Sequence, residues 1–284
     1  MINSITSYDS IGLIFLSLAF LAVGSFIGLF TYRFPKILER YEKSDQHLLP
    51  MLLAKSATDL TLTFPRSHCD HCNIPITPAQ NIPILSFVLL KGRCPHCDES
   101  ISKLYPITEV ATAVGGLAVI FKFGFSYEAI AFFLLVCALI TLSLIDVENK
   151  ILPDQLTLPL IWAGLLTNLL LGYIPITEAV LGSMLGYLSL WAIFWIYKSF
   201  TRKDALGFGD FKLLAAVGAW FGIYALSWII MIGALTGLAF SLYQILFKQH
   251  SYKDPIAFGP FISLGSLIYL FFHESLFQSL DFYL

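Results

Sequence analysis

Gly207-Phe208-Gly209-Asp210-Phe211-Lys212-Leu213-Leu214-Ala215 is the stretch with most consequence for what this chain can form. It leads into a run, 213–247, of 35 residues without Asp, Glu, Lys or Arg. One membrane crossing takes about 20 apolar residues, so the run is too long for one span and suits two. Gly222-Ile223-Tyr224 supplies a break between them. An aspartate at the lip of such a segment is expensive to place, which makes Asp210 a functional candidate. Asp146 is a second, closing another apolar run in Leu144-Ile145-Asp146. Two carboxylates carried to one membrane face by different helices can share a proton and activate water.

The whole chain has the same character. It is 57% hydrophobic and 13% charged, with mean hydropathy +0.76. Soluble domains carry about 25% charged residues, so the composition is that of a polytopic membrane protein in a lipid bilayer. A net charge of −2 gives no ground for a nucleic-acid partner. The N-terminus lacks the basic stretch and small-residue cleavage site of a secretory signal, so the first apolar segment is expected to be retained.

Apolar runs at 11–31, 107–125, 129–145, 155–173, 179–197 and 255–272 join the two in 213–247. The expected fold is therefore an all-α integral membrane protein of about eight transmembrane helices. Asp146 and Asp210 fall on the third and sixth. The expected domains are a first span at 1–32, a polar insertion at 33–106, and a seven-span membrane domain at 107–284 that carries both aspartates. With the N-terminus outside, all of the 17 Lys and Arg except Lys122 fall on the cytosolic side. That orientation makes the insertion and both aspartates cytosolic.

Cys69-x2-Cys72 and Cys94-x2-Cys97 lie inside the insertion. Two such pairs have the spacing of a tetrahedral zinc site, and four thiolates close the coordination sphere. The predicted metal is structural. Redox thiols or free cysteines are the alternatives, and His68, His71 and His96 flank the pairs as substitute ligands at best. Cys137 is most simply a small buried hydrophobe. Gly207 to Asp210 could equally be a glycine turn with a helix-capping aspartate. Glu148 and Asp154 read as solvated loop acids. Gly24, Gly28, Gly182 and Gly186 have the small-xxx-small spacing of close helix packing.

Several motifs together resemble the prepilin peptidase family, the membrane leader peptidases of type IV pilins and type II secretion pseudopilins. They are Gly24-Ser25-Phe26, Tyr32-Arg33-Phe34-Pro35, the cysteine quartet, Asn81-Ile82-Pro83, and Tyr105-Pro106 with Glu109. Ile145-Asp146 leading to Pro153-Asp154, Gly207 to Asp210 with Lys212-Leu213-Leu214, and Phe258-Gly259-Pro260 complete the set. Where that family usually has Asn after Gly-Ser-Phe-x, this chain has Gly28. The resemblance implies that Asp146 and Asp210 are the catalytic pair of an aspartyl endopeptidase and that the insertion binds zinc. It implies prepilin and pseudopilin precursors as partners, a short basic leader as the cleaved piece, and the bacterial inner membrane as the location. It further implies N-methylation of the new N-terminus with S-adenosylmethionine, partly in the cytosolic region.

Two other classes fit some of the residues. A proton-coupled transporter could use the aspartates, with the cysteine domain as a metal sensor. A membrane thiol oxidoreductase could use the Cys-x-x-Cys pairs. Transporters place ionisable groups near the midplane of broken helices, whereas both aspartates here lie at span ends, which favours the protease.

Overall fold

The computed structural model describes residues 10–43, 61–62, 64–69, 71–202, 207–248 and 256–280. Lys55, Lys203 and Lys253, which contribute to the expected orientation, lie outside the described residues. The fold is helical, with no strand among the described residues. In chain order the helices are α1 (Ser10–Glu42), α2 (Leu85–Leu89), α3 (Leu104–Phe123), α4 (Tyr127–Asn149) and α5 (Asp154–Leu171). They continue with α6 (Ile176–Thr201), α7 (Phe208–Phe221), α8 (Ile223–Lys248) and α9 (Gly259–Leu280). Six of these, α1, α3, α4, α5, α6 and α8, are long and apolar enough to cross a membrane. α7 has 14 residues, and the apolar part of α9, Gly259–His273, is also short. The expected eight apolar segments are thus present, two of them shorter than a full crossing. The chain divides into two compact units, Met1–Phe121 and Lys122–Leu284.

In the second unit α7 is the central helix. Every residue from Leu213 to Phe221 is buried, and a helix apolar on all sides belongs inside a bundle. α5, α6, α8 and α9 each pack on it. Backbone meets backbone where α6 crosses α7. A Cβ on Gly186 would sit 2.6 Å from the Leu214 carbonyl oxygen, and one on Gly182 would strike the Gly218 carbonyl. The small-residue spacing of the sequence is therefore a contact face. The expected break is at Gly222, whose φ of 81° and ψ of −179° only glycine adopts without strain.

A polar clamp closes that end of α7. The buried Asn168 of α5 donates Nδ2 to the carbonyls of Ala219 (2.8 Å) and Trp220 (3.2 Å), and its Oδ1 accepts from the Ile174 N–H. Trp220 Nε1 returns a bond to Leu160 O at 3.0 Å. The carbonyls left over at a helix end are thereby satisfied without water.

In the first unit α1 outlasts its apolar run and continues through Pro35 to Glu42. Its extension is fastened by Arg33, which is buried yet donates to Thr61 O (3.0 Å), Leu62 O (3.3 Å) and Pro65 O (2.7 Å). A buried guanidinium needs such partners, and these tie the following loop to the helix. Gly24 lets α1 approach α3, since a Cβ there would lie 2.6 Å from Glu109 Cα.

Candidate active site and metal centre

Asp146 stands in the last turn of α4, which Lys150 ends in the left-handed conformation at φ 57°. Asp210 stands in the first turn of α7, where the helix dipole favours a negative charge. Both are buried, at 6% and 7% exposure. They belong to one unit, and Asp210 lies within electrostatic reach of Asp146. The two aspartates singled out from the sequence are thus brought together from different helices.

Their surroundings differ. Asp146 Oδ2 accepts the N–H of Gly259, the first residue of α9, at 2.9 Å. A Cβ on Gly259 would sit 2.7 Å from that oxygen, so only glycine admits this approach. Asp210 Oδ1 is buried with no hydrogen-bond partner among the described residues. Leu152 packs where a Cβ on either Gly209 or Gly259 would fall, 2.6 Å from its Cβ and 3.3 Å from its Cδ1 respectively. One leucine in the short α4–α5 link therefore seats both glycines that flank the aspartates. Asp154, expected to be solvated, keeps half its side chain exposed, and it pairs there with Lys212, one residue after Phe211.

The four cysteines converge as their spacing predicts. Their sulfurs lie within 4.8 Å of one another, with Cys69–Cys97 at 3.7 Å and Cys72–Cys94 at 3.9 Å. Zinc–sulfur bonds of about 2.3 Å place tetrahedral sulfurs about 3.8 Å apart, so the quartet fits that ion. The two knuckles are built alike. Asn73 N–H bonds Cys69 O and Asp98 N–H bonds Cys94 O, and Asn73 and Asp98 both have φ near 57°, at 56° and 58°. Backbone amides turn toward the sulfurs. Those of His96 and then Cys97 bring the Cys94 thiol down to about 7, and those of Cys72 and then His71 lower Cys69. Despite the amides of Ile74 and Glu99, Cys72 and Cys97 shift up instead, the latter to about 12, through desolvation and the neighbouring sulfurs. The net balance therefore favours the thiolate a metal needs at two of the four positions. Cys137 is separate, on α4.

Sequence reasoning passed over Leu152, Asn168 and the Glu109 contact with Ile84. Asn168 carried a signal, a lone amide in an apolar run; Leu152 carried none.

The family matches identify the class of protein that carries these apolar helices, the two buried aspartates at helix ends and the four-thiol centre: a membrane-embedded peptidase. Residues 18–123 match the bacterial peptidase A24 N-terminal domain, and residues 133–242 match the type IV leader peptidase family. Relatives described as prepilin leader peptidase/N-methyltransferase agree. That of Aeromonas salmonicida is 41% identical over 269 residues, covering 93% of this chain and 92% of the relative. Those of Pseudomonas aeruginosa and Burkholderia pseudomallei are 37% and 38% identical, covering 90% and 89% of this chain and 89% and 82% of theirs. No solved structure matches the chain. This chain belongs to the prepilin leader peptidase/N-methyltransferase family and is an enzyme, a multi-pass inner-membrane peptidase.

Proposed function

We propose that this enzyme cleaves the short basic leader from type IV prepilin-like and pseudopilin precursors at the cytosolic membrane face, with Asp146 and Asp210 as the catalytic pair. The observation that carries this is the unpartnered, buried Oδ1 of Asp210 beside a second buried carboxylate. Buried polar atoms are nearly always hydrogen-bonded, so an orphan oxygen marks where a water or a scissile carbonyl sits. One carboxylate, ionised, takes a proton from water while the other, protonated, donates to the carbonyl. The Gly259 N–H holds Asp146 in place for that exchange. Both aspartates stand at helix ends, where a leader meets the membrane surface, which supports a peptidase over a midplane proton carrier. The orientation with an external N-terminus rests on the Lys and Arg distribution.

The metal is zinc in a structural role, because four thiolates leave no open position. N-methylation of the new N-terminus completes the reading, with S-adenosylmethionine as donor. Its chemistry is an electrophilic methyl group on a sulfonium. The first unit contains a cavity of about 700 Å³, within the range of small-molecule sites. Phe26, Tyr32, Phe87 and Tyr105 line it, and aromatic faces suit a cation. These residues would hold the donor.

Purified enzyme incubated with a prepilin precursor tests the whole. Product masses should show the leader removed, and then one methyl added when the donor is supplied. An uncleaved precursor with folded enzyme would sink the proposal.

A further inference from the structure

Among the described residues, the buried carboxylate that proteolysis leaves unused is Glu109. It sits in the first turns of α3, is 6% exposed, and lines the cavity of the first unit. Burying a carboxylate at a membrane helix is costly, so its bonding has to be accounted for. Part of its bonding is structural. Glu109 Oε2 accepts the Ile84 N–H at 2.7 Å, and Ser25 hydrogen-bonds the same carboxylate. Ile84 itself is held at φ 59°, in the left-handed region that a β-branched residue avoids. Such strain persists only where the surroundings impose it, and it gathers at functional sites.

A carboxylate offers about four lone-pair positions, and two donors leave capacity for more. The other ionisable lining groups have separate employment. Arg33 is committed to three loop carbonyls. His68, His71, His96 and Glu99 belong to the two metal knuckles. Tyr32 and Tyr105 are phenols assigned above to the methyl donor, with Lys36 over the Tyr32 ring at 3.4 Å. Glu109 is therefore the cavity's buried anion with room for a further donor.

We infer that Glu109 binds the α-ammonium of the newly exposed N-terminus in this cavity and accepts its proton, as the general base of methyl transfer. This rests on the methylation reading above and deepens it. Both reactants carry an ammonium, the peptide at its N-terminus and S-adenosylmethionine at its methionine end. Only the peptide's must lose a proton before it can react, so the buried carboxylate is assigned to the peptide amine. The ammonium proton passes to the Glu109 carboxylate. The freed nitrogen lone pair forms the new N–C bond to the methyl carbon, and the breaking C–S bond leaves its electron pair on sulfur. The product is a secondary ammonium that carries one methyl and the positive charge the sulfur has lost, and the proton on Glu109 returns to solvent.

Glu109→Gln is the discriminating variant, because its amide oxygen still accepts the Ile84 N–H while losing the charge and the base. Retained zinc, at about one per chain, reports that the first unit of the variant is folded, and leader cleavage reports the same of the second. Methyl transfer to a synthetic apolar peptide with a free N-terminus should fall roughly 100-fold near neutral pH. The gap should narrow above about pH 9, where an α-amine with an ordinary pKa near 8 loses its proton to water unaided. A purely structural role predicts no such rescue. Binding gives a second readout. The free-amine peptide should bind the variant more weakly, its N-acetylated twin should bind both proteins alike, and S-adenosylmethionine affinity should be unchanged. Unaltered methylation and peptide binding, or a loss of donor affinity instead, overturns the assignment alone. Wild-type enzyme that cleaves but never methylates overturns the underlying reading as well. If the variant does not accumulate, zero-length carbodiimide coupling of the peptide amine to wild-type enzyme decides. An amide at Glu109 supports the inference, and coupling confined to other carboxylates refutes it.

Discussion

The two units solve one problem, holding reactive side chains still, by opposite means. In the second unit Asp146 and Asp210 are fixed by density: glycines on α6, α7 and α9 bring backbone against backbone and side chain. In the first unit the four sulfurs are fixed by turns, two matching knuckles whose residues are largely exposed or half-buried. A packed bundle of this kind carries its geometry in its own volume. A small turn-built unit of this kind needs its metal to complete the fold. One site should therefore break when an atom is added, and the other when an ion is removed.

The largest effect belongs to the aspartates themselves. Asp146→Asn and Asp210→Asn keep shape and some hydrogen bonding but cannot relay a proton. Each should lower the initial cleavage rate by roughly 10⁴-fold, with the double variant little worse, as for residues that act as a unit. Near-normal turnover in either single variant would remove the pair from the mechanism. Next comes density. Gly259→Ala places a methyl 2.7 Å from Asp146 Oδ2 and 3.3 Å from Leu152 Cδ1. Displacing the carboxylate by even a fraction of that distance should cost about 100-fold in cleavage, with the protein still folded. Gly186→Val should act on stability instead, by about 1–3 kcal/mol, through the Leu214 carbonyl it would strike. Thermal melts in detergent separate the two outcomes.

What the sequence disclosed follows the same division. Apolar runs, the glycine break at Gly222 and charges abutting those runs are local signals, and each led to an element or a buried carboxylate. Cysteine spacing is local too, and led to the converged quartet. The contacts that set geometry are not local. Gly259 N–H reaches Asp146 across 113 residues, and Asn168 reaches Trp220 across 52. Leu152 looks like any linker leucine until the helices close on it. The extension of α1 past its apolar run was hidden because Arg33 reads as a boundary, yet it is buried and saturated by carbonyls from 28 to 32 residues away.

Metal removal tests the first unit. Metal analysis should find about one zinc per chain, and replacing any one of Cys69, Cys72, Cys94 or Cys97 with serine should release it. Methylation should then be lost together with the cavity, whereas cleavage should fall only a few-fold, through stability. A chelator does stop a metalloprotease, whose zinc holds the attacking water. Cleavage that vanishes on stripping from folded enzyme and returns with added zinc would make the metal catalytic, and the aspartyl mechanism would be wrong.

The smallest effect is expected at Asp154, although it stands as close in sequence to Asp146 as any acid on α5. Its carboxylate pairs with Lys212, but half of its side chain faces solvent, and the lysine is itself about a quarter exposed, at 24%. Water screens such a pair, and exposed ion pairs contribute about 0–1 kcal/mol. Asp154→Asn should therefore leave cleavage within a few-fold of wild type and shift the melting temperature by a few degrees at most. The comparison is sharp because α5 starts directly after Pro153, so Asp154 shares the local backbone that seats Leu152. If charge alone governed this end of the bundle, Asp154→Asn would rival Asp146→Asn. If burial governs, as the 6% exposure of Asp146 against the 51% of the Asp154 side chain implies, the two should differ by orders of magnitude. Parallel initial-rate measurements on the two variants decide it, and equal losses would move the site from the buried pair to the Asp154–Lys212 rim.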